Sequence, residues 1–329
     1  MIKENQKLAA DLFSTDLKKV PIRDGLGHGL VEAGMADGRI IVVCADLAES
    51  TRAEWFQKEF PSRYIEIGVA EQNLAAVGSG LAAAGKIPFI TSYATFSPGR
   101  NNEQIRTTIA INNVPVKIAG SHAGVSVGPD GATHQALEDI GLMRMLPHLT
   151  VVVPADAEEA RKATVAIAKT PGPAYIRLAR AGTPAFTTPE TPFSLGRAAV
   201  LWESARPQVA LIACGSLVYN ALVAAKKLQD AGVGSIVVNN HTIKPMDEKT
   251  IVGVATTCGA VVTVEEHQVA GGMGSAVAEI LSQHHPVPQE FIGVHDQFGQ
   301  SGTPEELLRH YKMDVDSIVA AATRAVSRK

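Results

Sequence analysis

The sequence predicts an α/β protein of two doubly wound domains with mostly parallel sheets. Short runs rich in Val and Ile recur with little polar alternation, the pattern of parallel strands buried on both faces. Longer Ala-rich amphipathic segments separate them, and repeated strand–helix–strand units wind into right-handed crossovers. One stretch breaks the alternation. Residues 182–197, GTPAFTTPETPFSLGR, hold three prolines and four threonines, the composition of a linker. The expected division is a first domain over 1–185, a linker over 186–196 and a second domain over 197–329.

Strands are expected at RIIVVCAD (39–46), YIEIG (64–68), IPFITS (87–92), VPVKIAG (114–120), LTVVVP (149–154) and AYIRL (174–178). Beyond the linker they are expected at 209–214, 235–240, 260–266 and 290–294. Helices are expected at 23–36, 72–84, 156–168, 217–231 and 274–284.

Composition narrows the function. The chain is 46% hydrophobic and 19% charged, with a formal net charge of -3. Such a balance gives no reason to expect nucleic acid or a membrane as partner, so an anionic ligand would need a local cluster of cations. Cys44, Cys214 and Cys258 are far apart and show no metal-ligand spacing, as expected for reduced, buried thiols of a cytoplasmic protein. The N-terminal stretch lacks the continuous apolar core of a signal peptide.

Two glycine runs, GLGHGL (25–30) and GGMGSA (271–276), invite a dinucleotide reading. Neither completes G-x-G-x-x-G, because Leu30 and Val277 stand at the sixth positions. Four other segments carry polar or aromatic groups at expected element ends. In EIGVAEQN (66–73), Glu71 precedes a run of small apolar residues; it either caps a helix or does chemistry in a dry place. In GSHAGVSVGPDGATHQALED (120–139), His122 and His134 flank Asp130 in a Gly-rich loop after a strand. Histidines there suit proton transfer, or they are hydrogen-bonded members of a polar loop. Arg23, Ser50 and Arg180 lie at element termini, where an anion site could form and where solvated side chains are also common. In SYATFSPGRNNEQIR (92–106), Tyr93 and Phe96 are either core or a platform for a planar ring.

Taken together, EIGVAEQN, SYATF, SHAGVSVGPDGATHQALED, VVVPADAEE and PAYIRLAR, in this order, resemble the C-terminal half of transketolase, and more closely the separate C-terminal subunit of split transketolases. The resemblance spans essentially the whole chain: a pyrimidine-binding domain, then the transketolase C-terminal domain. It implies thiamine diphosphate as cofactor and transfer of a two-carbon ketol unit from a ketose phosphate, such as xylulose 5-phosphate, to an aldose phosphate. By position in the motifs, Glu71 resembles the glutamate that shares a proton with N1′ of the aminopyrimidine. Phe96 and Tyr93 resemble the aromatics at that ring, and Asp46 an acid near the cofactor. His122 and His134 look like the substrate histidines, Asp130 the carboxylate that reads a sugar hydroxyl, and Arg23, Ser50 and Arg180 the sugar-phosphate cradle. Two departures stand out. Gly99, Asn101 and Asn102 occupy a stretch where full-length members carry more aromatics, and Ala132 stands where many have proline.

The family's Gly-Asp-Gly to Asn motif, which holds the diphosphate and a divalent metal, is missing. GPDG (128–131) is not followed by an Asn at the required distance; residues 153–160 read VPADAEEA. The resemblance therefore implies a second, diphosphate-binding subunit that carries the Mg2+ or Ca2+ ligands, in an A2B2 heterotetramer. Three rival readings remain: a β subunit of a 2-oxo acid dehydrogenase E1 component, a deoxyxylulose-phosphate-synthase-like enzyme, and a non-catalytic assembly subunit. The first generally lacks the D-G-x-T-H-Q loop, the second usually has arginine in place of His122, and intact Glu71, His122 and His134 weigh against the third.

Overall fold

The computed structural model describes all 329 residues. A seven-stranded sheet dominates the first domain. Its order across the sheet is Thr242–Lys244, Thr150–Val152, Ala174–Arg177, Lys117–Ser121, Ile87–Tyr93, Ile40–Cys44 and Tyr64–Glu66. The last six are parallel, and Ile40–Cys44 carries the unbroken apolar run expected of such a strand. The first is the exception. It comes from the second domain and pairs antiparallel with Thr150–Val152, so one domain completes the sheet of the other.

The second domain holds a five-stranded sheet in the order Gln289–Val294, Val261–Gln268, Pro207–Ala213, Gly234–Asn239 and Ala199–Glu203. It is parallel except for Ala199–Glu203, which runs antiparallel along one edge. Helices expected from the 3.6-residue pattern form at Ile22–Ala36, Glu71–Ala83, Ala157–Ala168, Leu217–Asp230 and Met273–His284. No helix is long and apolar enough to cross a membrane.

Apolar burial joins the two domains. Val43, Leu74 and Ile90 of the first share one buried cluster with Ile212, Val261 and Met273 of the second. The opposite face of the first sheet packs on the helices Ile22–Ala36 and Ala157–Ala168 through Leu26, Leu30, Ala160 and Ala163. Gly25 and Gly29 explain their closeness. A Cβ at Gly25 would lie 2.0 Å from the Ala157 carbonyl oxygen, so the GLGHGL run serves helix packing.

The N-terminal residues depart from the expected 1–185 domain. Leu12 is buried in the core of the second domain, Phe13 packs edge-on to Trp202 at 6.1 Å, and Ile2 bridges to Trp202. An apolar pair at positions 12 and 13 needs a core, and the nearest is the edge of the second sheet. The first domain's own chain is taken up from Lys19–Pro21, which pairs antiparallel with Gly182–Pro184.

Candidate functional site

Most of the expected site residues gather at the carboxyl ends of the first sheet, where ligand crevices of parallel sheets lie. Asp46 and Ser50 follow Ile40–Cys44, Glu71 follows Tyr64–Glu66, and Phe96 follows Ile87–Tyr93, whose last residue is Tyr93. His122 follows Lys117–Ser121, Arg180 follows Ala174–Arg177, and Arg23 sits in the first turn of Ile22–Ala36.

Glu71 is the first residue of its helix and only 1% exposed. The N-cap is Ala70, which offers no side-chain hydrogen bond, and the Glu71 carboxylate is engaged elsewhere than at the helix end. Arg100 Nη1 donates to Glu71 Oε2 at 2.6 Å. The same guanidinium lies over the Phe96 ring, 4.8 Å from its centroid. Arg100 is half exposed, so a planar cation bridges a buried carboxylate and an aromatic face at the rim of the crevice. Asn101 fixes the backbone behind it, donating to the Glu71 carbonyl at 2.8 Å and the Ser97 hydroxyl at 3.1 Å.

His122 is 1% exposed and has a positive φ of 56°. A non-glycine residue in that region costs about 1–3 kcal/mol and persists only where the surroundings hold it. Here Ser121 Oγ lies 2.9 Å from Nδ1 and Arg23 Nη1 lies 3.2 Å from Nε2. A guanidinium can only donate, so Nε2 accepts and the ring proton sits on Nδ1. Burial, then the cations Arg23, Arg180 and Arg52, pushes the His122 pKa down to about 2, so the imidazole is neutral. Tyr93 covers its face, stacked at 3.8 Å between centroids. His134 is half-buried and meets Phe96 edge-on at 5.5 Å and Tyr93 at 6.2 Å. The two histidines and two aromatics thus form one contiguous cluster.

Cations line its side. Arg23 Nη1 donates to the Ser50 carbonyl at 2.7 Å, so Ser50 contributes backbone rather than hydroxyl to this contact. Arg23 Nε is buried with no hydrogen-bond partner. Burial and neighbouring Arg52 hold the Arg23 guanidinium below its usual pKa. Arg180 Nη1 donates to the Val127 carbonyl at 2.7 Å and lies 3.6 Å from Asp130 Oδ1. Asp46 stands apart: it is exposed, and its backbone N–H donates to Glu66 Oε1 at 2.8 Å.

The second glycine run also has a use. GGMGSA opens the helix Met273–His284, and its free N–H groups are taken up by the buried carboxyl group of Glu265. Met273 N–H donates to Oε2 at 2.7 Å and Gly274 N–H to Oε1 at 2.8 Å. Sequence reasoning missed Arg100 and Arg52 at the site, and named Asn101 only as a departure from the family's aromatics. Arg100 lies inside a segment already singled out, in PGR, but an arginine four residues past an aromatic carries no pattern of its own.

Comparison with known proteins gives two family matches. Residues 18–184 match the pyrimidine-binding domain of transketolase, and residues 196–318 match the transketolase C-terminal domain. The chain belongs to the transketolase family. It is 38% identical over 317 residues to the 6-deoxy-6-sulfo-D-fructose transketolase subunit of Clostridium sp. strain MSTE9, covering 96% of this chain and 98% of that one. It is 35% identical over 310 residues to an apulose-4-phosphate transketolase subunit of Phocaeicola vulgatus, covering 94% and 98%. Against the transketolase of Rattus norvegicus, 36% identical over 312 residues, it spans 50% of the relative's length. Among solved structures, a split gene transketolase in an inactive β4 tetramer superposes with a TM-score of 0.88 at 44% identity, covering 94% of this chain and 99% of that chain. The chain is therefore a split-transketolase-type β subunit, and its family depends on thiamine diphosphate.

Proposed function

We propose that this chain holds the aminopyrimidine end of thiamine diphosphate and the ketose, and transfers a two-carbon ketol unit from a ketose phosphate to an aldose phosphate. The reading places the diphosphate and a divalent metal, Mg2+ or Ca2+, on a separate subunit in an A2B2 assembly. It also keeps the division into a pyrimidine-binding domain, a linker at 186–196 and a C-terminal domain.

One observation carries the reading. The Arg100 guanidinium is flat, stacks on Phe96 and donates an N–H to Glu71. An aminopyrimidine protonated at N1′ presents the same two features, a flat face and an N–H donor, so these residues fit that ring. When bound, the cofactor would supply the nucleophile and electron sink that ketol transfer needs. The chain's own residues do the rest. Glu71, buried at the crevice floor, holds the proton at N1′. Phe96, with Tyr93 behind it, sets the ring plane, and Asp46 meets the cofactor at the subunit boundary. His134, on the open side of the cluster, moves protons at the donor's oxygens. His122, neutral and accepting from Arg23, orients that arginine as well as the sugar. Asp130 selects a hydroxyl configuration. Arg23, with its unpartnered Nε, joins Ser50 and Arg180 in cradling the anion.

Those cations take a phosphate or a sulfonate alike, and one relative is named for a sulfonated fructose. A donor panel separates the two. The test is reconstitution. This chain alone yields no glyceraldehyde 3-phosphate from xylulose 5-phosphate with ribose 5-phosphate; the chain with its partner does, and Glu71→Gln abolishes it at saturating cofactor. Transfer of an acetyl unit from pyruvate, or undiminished activity of Glu71→Gln, would overturn the reading.

A further inference from the structure

The loop from His122 to His134 belongs to the first domain in sequence but is shaped by the second. Val125, with Leu137 just beyond the loop, is buried in the second domain's apolar core, beside Leu211, Val264 and Leu307. The loop's three glycines with positive φ all sit against that domain. Gly124, at φ 91°, lies so close to Glu266 that a Cβ would fall 2.4 Å from Oε1. A Cβ on Gly128, at φ 85°, would fall 3.3 Å from the Gly302 carbonyl, and one on Gly131, at φ 74°, 2.7 Å from the Ser301 hydroxyl. Gln135 is 4% exposed and ties the loop to itself and to the second domain, donating to the Val125 carbonyl at 3.1 Å and the Gln300 carbonyl at 2.9 Å.

The strongest of these ties is a carboxylate. Glu266 is 3% exposed near the end of the strand Val261–Gln268. Its Oε1 accepts from the Ser126 N–H, and its Oε2 accepts from the Ser216 hydroxyl at 2.9 Å. Its carbonyl accepts from Arg177 Nη2 at 2.8 Å. Arg177 in turn pairs with buried Asp139 at 2.8 Å. Glu266 therefore grips the loop at Ser126, midway between His122 and Asp130, and anchors it to a rigid strand and helix start of the other domain. Charge-assisted hydrogen bonds to backbone N–H groups are the strong kind.

We propose that Glu266 is a positioning residue for ketol transfer: through Ser126 it sets the course of the loop that carries His122, Asp130 and His134, and so gives the C-terminal domain a part in the chemistry. The proposal rests on the function proposed above. Glu266 touches neither sugar nor cofactor in this scheme; its effect passes through loop geometry, and misplacing a catalytic group by about 1 Å can cost about 100-fold in rate.

The test uses the enzyme reconstituted with its partner. Glu266→Ala should lower kcat/KM for the ketose donor by about 10- to 100-fold, with thiamine diphosphate affinity unchanged within about twofold on the same scale. Glu266→Gln keeps an acceptor for Ser126 and offers an N–H to the Ser216 hydroxyl, so it should recover most of the loss. Hydrogen exchange should quicken at residues 124–131 in the alanine variant and not at the Glu71 helix. Unchanged kinetics in Glu266→Ala would overturn the proposal. So would a parallel fall of melting temperature and cofactor affinity, the mark of a merely structural role. Should Glu266→Ala fail to assemble, Ser216→Ala frees only one carboxylate oxygen and must shift kinetics and exchange in the same direction; no shift overturns the proposal. If wild-type enzyme binds the cofactor yet transfers no ketol unit, the function proposal fails, while the exchange measurement still decides whether Glu266 sets the loop.

Discussion

Arg100→Met keeps an apolar stem of similar length and removes every donor. In the structure, the guanidinium donates to the buried Glu71 carboxylate at 2.6 Å and covers Phe96 at 4.8 Å. A hydrogen bond to a charged group contributes about 1.5–3 kcal/mol. Arg100 is half exposed, so solvent screening reduces this toward about 1 kcal/mol. The cation–π contact at an exposed site adds about 0.5–1 kcal/mol. A ring that takes Glu71 and Phe96 must displace both contacts, a cost of about 1.5–2 kcal/mol. Arg100→Met should therefore tighten thiamine diphosphate binding by about 10- to 30-fold. The assay is calorimetric titration of the cofactor into the reconstituted enzyme at fixed divalent metal. Arg100→Lys keeps the charge but loses the fork and the flat face, so it should fall between. A dissociation constant that stays the same or rises in Arg100→Met would refute the competition.

Other outcomes follow from groups already described. Asp139→Ala strands a buried guanidinium and the Tyr175 hydroxyl, which donates to Asp139 at 2.6 Å; denaturation midpoints should report a loss of about 3–5 kcal/mol, and a loss below about 1 would refute the pairing. His134→Ala should lower donor kcat/KM by about 100-fold or more with cofactor affinity intact, read by steady-state kinetics. Burial pushes His122 down to about 2 and His241 and His267 to about 4, so all three gain protons on unfolding as the pH falls below their free values and stability drops on acidification. Burial pushes Glu159 and Glu265 up to about 7, so in the window between the free carboxylate value and 7 unfolding releases their protons and opposes that drop. Glu265→Gln removes one of the opposing releases, so its stability should fall more steeply on acidification through that window; the pH dependence of the urea midpoint measures the difference.

The parallel sheets were legible because strands buried on both faces are apolar along most of their length, as 209–214 are throughout and 260–264 are except at Thr263. The site was legible as separate strand ends, since only the fold brings Glu71, Phe96, His122 and Arg180 to one edge. Two kinds of residue were not. Arg100 and Glu266 act through partners 29 and 140 residues away along the chain, a separation no local pattern encodes. The two glycine runs, which do not complete a dinucleotide motif, had a use that was hidden for a related reason. Gly25 and Gly29 answer to a helix that starts at Ala157, and the N–H groups of Met273 and Gly274 answer to Glu265, so a motif that suggests a phosphate serves the protein's own packing and its own carboxylate.

The strand Thr242–Lys244 has a consequence for how the polypeptide can be cut. It covers Thr150–Val152, which would otherwise offer a bare row of N–H and C=O groups to any passing strand. A fragment ending at the linker would keep its six parallel strands and lose that cover, so it should self-associate rather than stay dispersed. During synthesis the same edge stays open until the chain has been made past residue 244, while Leu12 and Phe13 wait for Trp202 and Tyr219, about 200 residues further along. Contacts between such distant segments are slow to form. The two domains therefore guard each other against aggregation, each carrying the last piece the other needs to close.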